Sequence, residues 1–190
     1  MQKLNQQPDI CPYFSPEFKV IPQYIVMKEG ECMELNNKTT NFFIFILSGE
    51  ITISFEQYTN RPVLENEMFF LPKNNCFKWK AVTKTALILT GYNTTTFPCT
   101  SARAGILYKI KGGVKFDCRG VVMKDEVKTV VNQMKHYLES GINCHHMYIL
   151  KHKELYLMFK HFYTYEEIVQ IFYLTLGSNP LFNERVLDNY

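Results

Sequence analysis

The sequence predicts an α+β protein, a small antiparallel β-barrel followed by a helical segment. Three observations predict it. Within Phe42–Phe77, the apolar run Phe42–Leu47 turns at Ser48-Gly49-Glu50 into a strictly alternating stretch. Ile51, Ile53 and Phe55 point one way there, and Thr52, Ser54 and Glu56 the other, the mark of a half-buried strand. Short apolar stretches of this kind recur between turn residues from Val20 to Phe116, as in a small antiparallel barrel. After Cys118 the apolar period changes from two to about 3.6, that of a helix.

The elements follow in order. Residues 1–18 hold Pro8, Pro12 and Pro16 and read as an extended lead-in. Val20–Met27 is a strand in which Pro22 marks a sheet edge or a strand start. Glu29-Gly30 is a turn, Cys32–Leu35 a short strand, and Asn36-Asn37-Lys38 a polar turn or strand end. Asn60-Arg61-Pro62 is a loop; Met68–Leu71 is a strand ended by Pro72, with Asn74-Asn75 as the next turn. Phe77–Trp79 and Thr85–Thr90 are strands, Gly91–Thr100 is a polar loop, and Gly105–Ile110 and Val114–Phe116 flank Gly112-Gly113 as a hairpin.

In Lys124–Ser140 the residues Val127, Val131, Met134 and Leu138 are spaced four, three, four and make a seam on one helix face, stopped by Gly141. Asn143 is placed to cap the next helix, which runs to about Phe162; its segment Leu155–Phe159 is apolar nearly all round, as in a helix buried between neighbours. Thr164-x-x-Glu167 is a capping box, with Tyr163 and Ile168 at the positions of a hydrophobic staple. That helix stops at Gly177, and Asn179-Pro180 restarts another. Glu166 and Glu167 are helix-start residues favoured by the dipole, not a catalytic pair.

Composition narrows the function. At 190 residues with 46% hydrophobic content the chain has enough material for a real core. Residues 1–118 carry 13 of the 21 Lys/Arg and 10 of the 18 Asp/Glu, and residues 119–190 carry 8 and 8, so neither part has the basic footprint of an autonomous nucleic-acid binder. The six cysteines are scattered without a CxxC pair, the N-terminus lacks a signal-peptide core, and no apolar run reaches membrane-spanning length. The expectation is a cytoplasmic protein with free thiols and no cofactor. Cys144-His145-His146 with His152 has the residue types of a metal cluster, but His145 and His152 lie two turns apart where a helical pair wants i and i+4; no metal site is expected.

The spacing of the barrel part resembles that of cupins, small double-stranded β-helix or jelly-roll barrels. Gly30, Asn36-x-Lys38, Phe42 and Gly49 fall on the frame of the first cupin motif without a gap. Asn66, Pro72-x-Asn74 and Phe77 fall on the second. Asn66 and Asn74 stand where the family has glycine; asparagine is the other residue that tolerates positive φ. The family's metal ligands fall on Asn36, Lys38, Phe42 and Phe77, none of which suits a first-row transition metal. All five histidines lie after Cys118.

The tail, LKHKELYLMFKHFYTYEEIVQIFYLTL followed by FNERVLDNY, resembles the helical segment of a subgroup of AraC-type bacterial transcription regulators. That resemblance implies a cupin-like sensor and dimerisation domain, whose C-terminal pair of helix-turn-helix motifs begins about where this sequence stops. Its implied division is a barrel with its lead-in at 1–118 and a helical dimerisation or linker segment at 119–190. It implies effector sensing, a homodimer, a small-molecule effector, and DNA contact only through the appended domain. No catalytic residue is expected. Asn36, Lys38, Phe42, Phe77 and Trp79 are the candidate ligand-binding residues, and Val127, Val131, Met134 and Leu138 the candidate dimer interface. The alternatives are a structural dimer module with a filled barrel, and a metal-independent cupin enzyme.

Overall fold

The computed structural model describes residues 22–92, 113, 116, 118–142 and 144–174. Eight strands follow one another: β1 (Gln23–Met27), β2 (Cys32–Asn37), β3 (Asn41–Ser48), β4 (Ile51–Phe55), β5 (Tyr58–Val63), β6 (Glu67–Leu71), β7 (Asn75–Ala81) and β8 (Thr85–Tyr92). A short β9 (Val121–Val122) leads into three helices, α1 (Asp125–Glu139), α2 (His145–Phe162) and α3 (Tyr165–Phe172). One sheet has the order β1-β8-β3-β6-β9 and the other β2-β7-β4-β5. All the pairings are antiparallel. The strand orders 1-8-3-6 and 2-7-4-5 are those of two interleaved Greek keys, a jelly roll. The barrel is therefore the cupin-like double-stranded β-helix that the spacing predicts, followed by helices, and the α+β class holds.

The turns explain why the spacing is legible. Gly30, Gly49, Asn66 and Asn74 have φ of 78°, 82°, 63° and 64°. All four frame positions thus sit in the left-handed region, which glycine enters freely and asparagine at modest cost. At Gly49 a side chain is excluded as well: an added Cβ would meet the Lys84 carbonyl and lie 2.8 Å from Thr85 Cα. Gly141, φ 74°, ends α1 in a Schellman motif. Ile142 N–H donates to Tyr137 O (2.9 Å) and Gly141 N–H to Leu138 O (3.0 Å).

The five-stranded sheet is apolar on both faces. In β3, Ile44 and Ile46 face the barrel interior while Phe43 and Phe45 face the helices. β6 divides Phe69 and Leu71 from Met68 and Phe70 in the same way, and β8 divides Leu87 and Leu89 from Ile88 and Tyr92. This is the alternation of an extended chain with an apolar partner on each side. The molecule has three layers: four-stranded sheet, five-stranded sheet, helices.

On the helical side Phe43 is the centre of an aromatic cluster. Its ring lies 4.9 Å from Phe70, 5.0 Å from Tyr92, 5.5 Å from Phe159 and 5.8 Å from Phe172, so residues of three strands and two helices meet there. Such pairs add about 0.5–1.5 kcal/mol each beyond burial of their area. Tyr163 straps the end of α2 to the start of α1: its hydroxyl donates to Val122 O (3.1 Å) and accepts from Lys124 N–H (2.8 Å). The capping box of α3 is complete, with Glu167 N–H donating to Thr164 Oγ1 (3.2 Å) and Thr164 N–H to Glu167 Oε2 (2.9 Å).

Several sequence expectations are corrected. Asn60-Arg61-Pro62 is not a loop but the middle of β5, an edge strand whose residues Thr59 to Pro62 are exposed. An edge strand tolerates proline and shows no apolar alternation, so its sequence looks like a loop. The sheet also continues past Cys118, because Val121 and Val122 pair with Met68 and Glu67. The N-cap of α2 is Cys144 rather than Asn143, with no side-chain cap bond. Within Leu155–Phe159, Leu157 is exposed. The expected hairpin around Gly112-Gly113, most of the Gly91–Thr100 loop and the elements after Leu174 lie outside the described residues.

Candidate functional site

The candidate site is the barrel interior, between the two sheets. Its walls are Ile44, Ile46, Phe69, Leu71, Leu87 and Leu89 from one sheet and Ile51, Ile53, Phe55, Phe77 and Trp79 from the other. They interdigitate, and most are fully buried. Toward one end the lining becomes aromatic. Phe55 lies 4.7 Å from Phe77 and 5.1 Å from Tyr58; Tyr58 lies 5.9 Å from Phe116, which stacks on Tyr173 at 4.4 Å. Tyr173 follows α3, so the helical layer reaches round to this end of the barrel.

The five sequence-predicted ligand residues divide sharply. Phe77 and Trp79 are buried in the interior and Phe42 packs against it half-buried. Asn36 and Lys38 are exposed. The pairing in β2 explains Asn36: Leu35 pairs with Phe77 and is partly buried against the interior, so its neighbour Asn36, paired with exposed Cys76, points outward. The four positions that carry metal ligands in cupins thus comprise two exposed polar residues and two phenylalanines. This donor set does not fit a transition metal.

The interior has a single polar oddity. Among the described residues the buried polar side chains are Asn41, Thr85 and Thr90, and none is charged. Each has a partner. Asn41 Oδ1 accepts from Lys73 N–H at 2.8 Å, Thr85 Oγ1 lies 2.9 Å from Glu50 O, and Thr90 meets His152. The indole N–H of Trp79 has none among the described residues, although Trp79 is 2% exposed. An unmet buried donor costs about 1–3 kcal/mol, so Trp79 is the position where an acceptor in the barrel would be rewarded.

The joint between barrel and helices is polar at one point. His152 Nε2 on α2 lies 2.7 Å from Thr90 Oγ1 on β8, and its ring is 6.3 Å from that of Tyr92. Burial, and secondarily His145, depresses the His152 pKa to about 4, so the ring is neutral at pH 7. His145 is lowered by burial too, then by His146. From the sequence no metal site is expected at these histidines, and His152 has no assigned place in the core. The signal that could have placed His152 was its spacing from Tyr148, Leu155 and Phe159 on the buried face of α2.

The proposed dimer seam lies inside the chain. Val127, Val131 and Met134 are fully buried in the core that joins helices to sheet, and Leu138 packs partly buried against it. Their spacing is that of a helix face covering its own barrel, so Val127, Val131 and Met134 present no face to a second copy.

No family model matches the chain, and no curated protein does. Among solved structures it is similar to a protein of unknown function from Streptococcus pyogenes, with 19% identity over 39% of this chain and a TM-score of 0.36. The match covers 64% of that chain, just under two thirds of its length. It is similar to a cupin superfamily protein from Desulfitobacterium hafniense, with 17% identity over 39% of this chain and 68% of the other, TM-score 0.35. An RmlC-like cupin family protein with a double-stranded beta-helix fold from Methanocaldococcus jannaschii gives 19% identity, 38% and 68% coverage and a TM-score of 0.36.

Proposed function

We propose that this chain is the effector-sensing and dimerising part of an AraC-type transcription regulator, acting in the cytoplasm on DNA through an appended helix-turn-helix domain, and that it is not an enzyme. One observation carries the reading beyond the resemblance of the tail. Strands β3, β6 and β8 give alternate residues to the barrel interior and to the helical core, so a molecule that shifts the barrel wall also shifts the floor on which α1, α2 and α3 rest. A sensor needs such a shared element, because an effector acts only by favouring one arrangement over another. No helix among the described residues is long and apolar enough to cross a membrane.

Trp79 is the one tryptophan of the chain, so tryptophan emission reports on the candidate site alone. Titration with neutral apolar compounds carrying one acceptor is expected to shift that emission and raise the melting temperature together. Compounds that raise melting without moving Trp79 emission, or a metal held by barrel residues, would refute the reading. A second reading, a structural dimer module with a filled barrel, is favoured by the full burial of most of the interior side chains. It predicts that no compound moves the emission.

A further inference from the structure

The three helices begin differently. α1 opens on Asp125 and Glu126 and α3 on Glu166 and Glu167, acids that suit the positive end of a helix dipole. α2 has no acid in its first turn. It opens on His145 and His146, and its N-cap Cys144 makes no side-chain cap bond. A third histidine follows about two turns on. Nε2 of half-buried His152 lies 2.7 Å from Oγ1 of Thr90, a fully buried residue on β8. The N-terminal half of α2 thus rests on the sheet through a group that can become charged, and it carries two more at its end.

The described elements around His152 offer no unshared acid. β3 and β8 hold no charged residue, and β8 presents Thr90 and Tyr92 to the ring. The one acid of α2 is Glu154, 2.7 Å from Lys151, and His145 adds a like charge. On α1, Asp125 pairs with Lys128 and Glu139 with Lys135, while Glu126 acts on Tyr163 at the other end of α2. Gln133 and Tyr137 of α1 take Lys151. On α3, Glu167 pairs with Lys124. A protonated His152 therefore meets like charge and an apolar sheet, and protonated His145 and His146 meet the wrong end of a helix dipole. Burial first, and then a neighbouring histidine, holds the His152 pKa down to about 4 and lowers that of His145. Both lie below the ordinary histidine value, so the stability they represent is present above about pH 6.5 and is lost as pH falls toward 4.

We propose that the N-terminal half of α2 is an acid-released latch: protonation of His152, with His145 and His146, lifts it off Thr90 and opens the joint between barrel and helices while the barrel stays folded. The C-terminal half stays held, by Phe159 in the Phe43 cluster and by the bonds of the Tyr163 hydroxyl to Val122 and Lys124. The latch depends on neither an effector nor a dimer. It gives the chain a second input, proton concentration, at the joint through which the barrel would act on the helices.

Acid titration of the whole chain tests the proposal, followed by helix content, by a dye for exposed apolar surface and by Trp79 emission. Trp79 sits in the barrel interior, on the sheet that does not carry Thr90, and it is the one tryptophan. Two steps are expected. Between about pH 6.5 and 4 the dye binds and part of the helix signal is lost with Trp79 emission unchanged; the emission changes only at lower pH. His152→Gln, which can bond Thr90 but cannot become charged, is expected to lower the pH of the first step by about one unit, and His145→Gln with His146→Gln to lower it as well. Should His152→Gln fail to fold at neutral pH, the wild type and the pair at 145 and 146 decide alone. Dye, helix and Trp79 signals that move together overturn the latch, since the molecule then unfolds as a unit. A first step that keeps its pH in every folded variant, or no step above pH 4, overturns it too.

Discussion

Four residues with positive φ set the frame on which the barrel is read. Gly30 and Gly49 occupy the same backbone region but different surroundings, because an added Cβ at Gly30 meets open space and one at Gly49 meets backbone. Gly30→Ala is therefore expected to cost about 1–2 kcal/mol, the penalty of the left-handed conformation alone. Gly49→Ala should cost more, on the order of 3 kcal/mol or above, since the hairpin must also move off Thr85. Thermal melts of the two variants side by side check the difference; equal losses would show that the close approach at Gly49 is unimportant. His152 makes the second prediction at this scale. Folding holds its pKa at about 4 against about 6.5 in an unfolded chain. The stability this represents is fully present above about pH 6.5 and is lost as pH falls toward 4, by at most about 3 kcal/mol and less insofar as the ring keeps some hydration. Denaturation at pH 7 and pH 4.5 should show the wild type losing more than His152→Gln.

At the scale of elements, what the sequence revealed and what it hid have physical causes. Strands bounded by glycine, asparagine and proline were legible, and so was the capping box of α3, because those signals are local. β5 was hidden because an exposed edge strand has no apolar period to read. The frame match put Asn36 in the site, yet the alternation of Met33, Glu34, Leu35 and Asn36 already turns Asn36 outward; register overrides spacing once a neighbour is apolar. The seam on α1 was read correctly as a seam, but periodicity states only that a face is covered, not by what. Its cover is the chain's own sheet. α2 posed the opposite problem: its apolar residues on all sides predicted two neighbours, and the described chain supplies one. The orphan N–H of Trp79 could not be foreseen, since the lack of a partner is a property of packing rather than of sequence.

At the scale of the whole molecule, barrel and helices form one structure rather than two joined by a linker. Met123 N–H donates to Asn66 O at 2.8 Å, which fixes the entry to α1 on the turn before β6. His152 and Thr90 meet across the same boundary, and the Phe43 cluster draws on both parts. A perturbation inside the barrel therefore has a short physical route to the exposed face of α2, through one sheet and one helix.

The two-faced sheet also bears on how the chain is made. A ribosome delivers β1 to β8 before any helix, and until the helices arrive Phe43, Phe45, Phe70, Ile88 and Tyr92 have nothing to lie against. Such a half-covered sheet is an aggregation hazard during synthesis. A fragment ending at Cys118 is accordingly expected to precipitate or to bind a dye for exposed apolar surface, while supplying residues 119–190 in trans should restore solubility. A soluble, cooperatively melting fragment would show that the barrel folds without its cover. The helices are, on this view, the last step of the barrel's own folding.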